Sequence, residues 1–239
     1  MCTIIAIANP NPEYKFFFFA NRDRPLDHFY GNYLKFFKKN KVLGIYDVRS
    51  DSLASGYSLQ SGIYGGIANV GDYKGKQSRG VLLKNVLTNA NNLLDAVIVM
   101  ERELLGGEYS SASYLIGKGG ENWLFENSGR NVYSERLEER FVLTNYFTGI
   151  KGKVSEEAKA RRNYVVKRLG LKVEVNDILK IVAHHGEKDG ICRHGITLAS
   201  FFVAGRKKGE PLVLYGIGES CQGLHNVIEV IPEINVALS

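Results

Sequence analysis

Cysteine, proline, methionine and tryptophan are all scarce in this chain, with 3, 5, 2 and 1 among 239 residues. An odd number of widely spaced cysteines (Cys2, Cys192, Cys221) excludes a disulfide framework and points to a reducing compartment. No low-complexity tract or internal repeat is present. The longest apolar runs, Ile4–Ala8 and Phe16–Ala20, are too short to cross a bilayer. The N-terminus lacks the charged region and long apolar stretch of a secretory signal. A cytoplasmic protein with no membrane partner is expected.

Charge is the next thing weighed. The net charge is +6, and basic residues cluster at Lys35/Lys38/Lys39/Lys41, Lys151–Arg168 and Arg206–Lys208. Aromatics are not interleaved with them as a base-stacking platform, and no zinc-finger or RNP-like signature accompanies them, so nucleic acid is not expected as a partner. A mildly basic solvated surface explains the excess. With 44% hydrophobic and 23% charged residues the composition is that of a folded globular chain. A chain of this length buries roughly 70% of its unfolded surface and needs no staple. The sequence is compatible with a homo-oligomer and requires none.

Periodicity places strands first. Thr3–Ala8 and Phe16–Ala20 flank the turn cluster Asn9-Pro10-Asn11-Pro12 and predict a hairpin. Phe16–Phe19 are apolar on both faces, as in a strand buried on both sides. Val42–Tyr46, Ala54–Leu59 and Ile63–Val70 follow as strands. Helical spacing then appears over Arg79–Leu87 and Leu93–Leu105, with Asn91 or Asn92 as cap and Gly106-Gly107 as stop. Strands return at Ser113–Gly117, Asn122–Glu126 and Arg140–Asn145. Ser155 opens a helix to Leu169, and Val175–His184 reads as another. Thr197–Ala204, Leu212–Gly216 and Val227–Val230 close the chain as strands. Leu26–Lys41 and Tyr46–Ser55 read as pocket-lining loops. This is no βαβ alternation. It predicts a single α+β domain over residues 1–239, with two antiparallel sheets and helices outside them.

Cys2 carries the chemistry. Removal of Met1 would leave a cysteine whose thiol and α-amine share one residue, and the amine then takes the thiol proton without a histidine. Model α-amines titrate near about 7.7–8.0 and thiols near about 8.5, so the transfer is nearly balanced. The bland alternative is a small buried residue starting a strand. Arg22 and Asp23 end the strand expected beside Cys2, where Arg22 would favour a thiolate and Asp23 would hold the amine or substrate. Asn69 and Asn145 each end an apolar strand, where an amide donates to an oxyanion or merely shapes a turn.

Met1-Cys2-Thr3, Asn21-Arg22-Asp23, the Gly65-Gly66 strand ending in Asn69, and Leu143-Thr144-Asn145 occur in order, with an arginine in the next helix. Together they resemble the N-terminal-nucleophile hydrolases of the choloylglycine hydrolase and penicillin acyltransferase type, and also the NRDE (transport and Golgi organisation) family. Cys192-Arg193-His194 and Thr197-Leu198-Ala199-Ser200 are similar to late motifs of the acyltransferases. The resemblance implies an αββα sandwich, no cofactor, and a small-molecule amide or acyl substrate. It implies Cys2 as nucleophile and Arg22 and Asp23 as its supporting pair. Asn69 and Asn145 match the oxyanion and amine-orienting asparagines, Arg162 or its neighbour Arg161 the helix arginine, and Asn21 a substrate-binding position. Arg24 stands where the NRDE pattern has Glu. Two functions follow: a cysteine hydrolase or acyltransferase for a non-peptide C–N bond, or a non-catalytic sandwich that handles a small hydrophobic or acyl ligand.

Other motifs argue less. Cys192-x-His194 and Cys221-x-x-x-His225 do not have the usual zinc spacing, so no metal is expected. His184-His185 suits the negative end of a helix. Glu219–Gly223 resembles a caspase-type signature out of context, and Gln222 breaks a Gly-x-Ser-x-Gly reading.

Overall fold

A computed structural model describes residues 2–23, 32–129, 131–152, 154–222 and 226–229. The first two apolar runs form β1 (Ile4–Ala8) and β2 (Tyr14–Asp23), antiparallel with Ile4 opposite Ala20. The Asn-Pro-Asn-Pro turn works through its asparagines. Asn9 takes a left-handed conformation (φ 46°), and the Asn11 side chain accepts from Glu13 N at 2.9 Å. Asn11 also donates to the Val173 carbonyl at 2.9 Å, tying the turn to a distant segment.

β2 lies in the middle of its sheet, whose order is β10 (Arg140–Leu143), β1, β2, β11 (Thr197–Arg206), β12 (Leu212–Ile217), β13 (Asn226–Glu229). Its four phenylalanines therefore bury on both faces. Phe16 and Phe18 point toward the other sheet and stack on Tyr64 with centroids 4.5 and 5.0 Å away. Phe17 and Phe19 point to the opposite side, among helix residues. Burying each such ring contributes roughly 1.5–3 kcal/mol.

The second sheet is a meander in chain order, built from β3 (Asn32–Phe37), β4 (Val42–Asp47), β5 (Ser52–Ser58), β6 (Ile63–Asn69), β7 (Ala112–Lys118), β8 (Glu121–Asn127) and β9 (Val132–Leu137). Two helices, α1 (Arg79–Asn89) and α2 (Leu93–Leu105), leave between β6 and β7 and cover this sheet's outer face. The Asn92 side chain caps α2 by accepting from Asp95 N at 3.0 Å. Helices α3 (Glu156–Arg168) and α4 (Val175–Val182) pack on the outer face of the first sheet. Ser155 caps α3, its hydroxyl accepting from Ala158 N at 3.1 Å.

Three apolar layers hold this body together, one between the sheets and one under each helix pair. The sheets approach closely at Gly66, where a Cβ would stand 3.1 Å from Ile4 and 3.2 Å from the Phe18 ring. No helix among the described residues is long and apolar enough to cross a membrane.

Several expectations need correction. The stretch Leu26–Lys41 holds strand β3, and of Tyr46–Ser55 only 48–51 is a turn. β9 has no counterpart in the sequence reading: it is a half-exposed edge strand carrying Glu135 and Arg136, so no apolar pattern marks it. α4 stops at Val182, two residues early, and His184 instead stacks on Tyr164 with centroids 3.8 Å apart. Met1, Arg24, His225 and Val230 lie outside the described residues.

Candidate active site

Continuing the β1–β2 register from Ile4/Ala20 sets Thr3 against Asn21 and Cys2 against Arg22. The Asn21 amide donates to the Thr3 carbonyl at 3.0 Å, as this pairing requires. Period-two alternation then splits the strand end in two. Arg22 follows Phe16, Phe18 and Ala20 toward the second sheet, while Asn21 and Asp23 follow Phe17 and Phe19 toward the helices.

Cys2 is buried, and its backbone nitrogen donates to the side-chain oxygen of Asn145. Asn145 sits just past β10, the strand paired with β1, which is why its amide reaches the start of the chain. Its own NH₂ donates to the Asn69 carbonyl at 2.8 Å, so Asn145 is fixed in one flip state. Asn69 enters through this main-chain oxygen at the end of β6.

On the helix side the Thr3 amide donates to the Asn21 side-chain oxygen. The Asn21 NH₂ donates to Asp23 Oδ1 at 3.1 Å and to the Ile191 carbonyl at 2.9 Å. Both ends of this buried amide are thus hydrogen-bonded inside the protein. Asp23 Oδ1 also accepts from the Thr197 hydroxyl at 2.9 Å, and Thr197 Oγ1 accepts from Arg193 N at 2.9 Å.

Asp23 Oδ2 stands 3.7 Å from Nη1 of Arg161, with both side chains almost wholly buried. Burial raises Asp23 above the ordinary carboxylate value, against the lowering effects of positive charge at the chain's start, the Thr197 hydroxyl, Arg161 and Arg193. Burial likewise lowers Arg161, against the favourable charges of Asp23 and Cys2. Of the two helix arginines it is Arg161 that enters the cluster. Arg162, one residue on and about 100° around α3, is half-buried.

Arg22 does not stand as an isolated cation beside Cys2. Its guanidinium pairs with Asp47 at the end of β4, both side chains buried, and Asp47 also accepts from Arg49 N at 3.1 Å. The carboxylate offsets much of the charge expected to act on the thiol, and the pair ties the two sheets together at this end.

Sequence reasoning missed Asp47, the role of Thr197, and Glu126. Fully buried in β8, Glu126 accepts from the backbone of Thr148 (2.7 Å), Gly149 (2.8 Å) and Ile150 (3.0 Å), holding the segment that follows Asn145. An acidic residue closing the apolar run Trp123-Leu124-Phe125 was the available signal. Burial and then the neighbouring Cys192 push the Cys221 thiol up to about 11, which disfavours its thiolate.

No protein-family model matches the chain, and none of the curated proteins does.

Proposed function

We propose that this protein is a cysteine hydrolase or acyltransferase of the N-terminal-nucleophile type, acting on a non-peptide amide bond after removal of Met1. The proposal includes the fold: an αββα sandwich in which the nucleophile starts a strand at the sheet end. The observation that carries it is the hydrogen bond from the Cys2 nitrogen to Asn145, beside the buried Asp23–Arg161 pair. A buried Cys2 nitrogen needs an acceptor in a packing role too, but packing alone does not call for a buried Asp23–Arg161 pair beside it.

The chemistry follows from the groups. The Cys2 α-amine takes the thiol proton, and the thiolate attacks the substrate carbonyl to form a C–S bond. The C–N bond breaks as the ammonium returns its proton to the leaving amine. Water or an acceptor amine then attacks the thioester carbonyl while the Cys2 α-amine takes its proton, and the C–S bond breaks as that proton passes to sulfur. Asn145 orients the amine through its oxygen, leaving its second N–H for the developing oxyanion, and the Asn69 carbonyl holds Asn145. Asp23 and Arg161 supply a fixed charge pair behind the amine, with Asn21 and Thr197 orienting Asp23.

The test is hydrolysis of a panel of acyl amides by the wild-type protein, by Cys2→Ala, and by protein in which Met1 is retained. The proposal expects activity in the first and none in the other two. Equal turnover in all three contradicts it.

A further inference from the structure

A second cluster lies outside the Cys2 machinery and is drawn from three separate segments. His185 follows α4, His194 precedes β11, and Cys221 sits in the 3-10 turn Ser220–Gln222 after β12. One ligand atom from each falls within 4.8 Å of the other two. The Nε2 atoms of His185 and His194 face each other at 3.1 Å, and His194 Nε2 is 3.8 Å from Cys221 Sγ. We propose that His185, His194 and Cys221 bind a thiophilic divalent cation of the Zn²⁺ class.

Geometry and ligand type both carry this. A tetrahedral Zn²⁺ with ordinary bond lengths separates two nitrogens by about 3.3 Å and a nitrogen from a sulfur by about 3.6 Å. The observed 3.1 and 3.8 Å lie close to those edges. Two imidazole nitrogens aimed at one another need a proton or a cation between their lone pairs. The set of two imidazoles and one thiol suits Zn²⁺ and not the oxygen-seeking Mg²⁺ or Ca²⁺.

The surroundings complete the arrangement. His194 Nδ1 lies 3.4 Å from Glu219 Oε2, so a ring proton held on Nδ1 would leave Nε2 for the metal. Glu219 Oε1 also accepts from Gly195 N at 2.8 Å, fixing the carboxylate. Cys192 is buried and lines the cleft beside the cluster. A cleft of about 360 Å³ lined by His185, Glu187, Cys192 and His194 opens to solvent and gives the ion a way in. Chain spacing concealed the site, because the fold brings His185, nine residues before His194, to Cys221. The ion would clamp the segment that carries Ile191 and Arg193, the backbone partners of Asn21 and Thr197.

The experiment is a Co²⁺ titration of chelator-treated full-length protein, followed by displacement with Zn²⁺. One Co²⁺ per chain is expected, with a thiolate charge-transfer band and the intense visible absorption of a tetrahedral site. Cys221→Ser should lose the charge-transfer band, and Glu219→Gln should weaken binding roughly 10–100-fold. Should a variant fold poorly, wild-type protein supplies the second measurement: Zn²⁺ should slow alkylation of Cys221. The proposal is overturned by the absence of stoichiometric uptake, by a band unchanged in Cys221→Ser, or by a Cys192–Cys221 disulfide in protein that takes up no metal.

Discussion

Arg161→Met tests the buried charge pair behind Cys2. Arg161 and Asp23 are 1% and 0% exposed at the side chain, with Nη1 3.7 Å from Oδ2. Unit charges about 4 Å apart attract by about 4 kcal/mol at an effective dielectric of about 20. Removing one partner of a buried pair costs about 3–5 kcal/mol, because the remaining charge is left uncompensated. Methionine keeps most of the side-chain volume, so the loss is electrostatic and should reach this range at pH values above the raised folded pKa of Asp23. The pH dependence has a definite sign. Asp23 titrates above its ordinary 3.8 when folded, so it supports folding most fully below that value and loses the contribution as pH rises through its folded pKa. Taking Arg161 away removes an effect that lowers Asp23, so the variant's deficit should grow as pH rises through that window. Urea unfolding of wild type, Arg161→Met, Asp23→Asn and the double variant closes the cycle, with an expected coupling of about 0.5–3 kcal/mol. Arg162→Met, outside the pair, should cost no more than about 1 kcal/mol. A loss below about 1 kcal/mol in Arg161→Met, or strict additivity, would refute the reasoning.

Other perturbations reach different parts of the structure. Phe18→Ala empties the space between the sheets beside Tyr64 and should cost about 3–5 kcal/mol, read as a lower urea midpoint with little change in slope. Gly66→Val forces a branched side chain against Ile4 and Phe18 and should cost about 1–3 kcal/mol by the same assay. Glu126→Leu strands three backbone N–H groups of the segment 148–150, at about 1–3 kcal/mol each. Faster amide exchange at Gly149 and Ile150 would show it directly. Asn145→Ala removes the acceptor of the Cys2 nitrogen. If the amide also meets the oxyanion, turnover should fall about 10²–10³-fold, at a KM that changes little.

Much of the fold was legible because the decisive patterns are local. The four consecutive phenylalanines announce a strand with no solvent face, and β2 is indeed flanked by β1 and β11. Ser155 and Asn92 mark helix starts through their own side chains. What escaped depends on neighbours distant in sequence. β3 and β9 are terminal strands of their sheet, with too little burial at β9 for an apolar pattern to develop. At the site, the strand-end position of Asn145 suggested an amide donor or a turn, whereas its side-chain oxygen accepts from the Cys2 nitrogen. The choice between Arg161 and Arg162 could not be made from the sequence, since adjacent helix residues differ only in the direction they face. The partners of Asn21 and Arg22 escaped for a similar reason: Ile191 and Asp47 lie 170 and 25 residues away.

The central claim is that Cys2 is a free N-terminal nucleophile, and trapping its acyl form tests that most directly. Natively expressed protein is incubated with an activated acyl donor, and its intact mass and N-terminal peptide are then measured. The account predicts a chain lacking Met1 that carries one acyl group on Cys2, with none on Cys192 or Cys221. A chain that keeps Met1 and leaves Cys2 unacylated would contradict it.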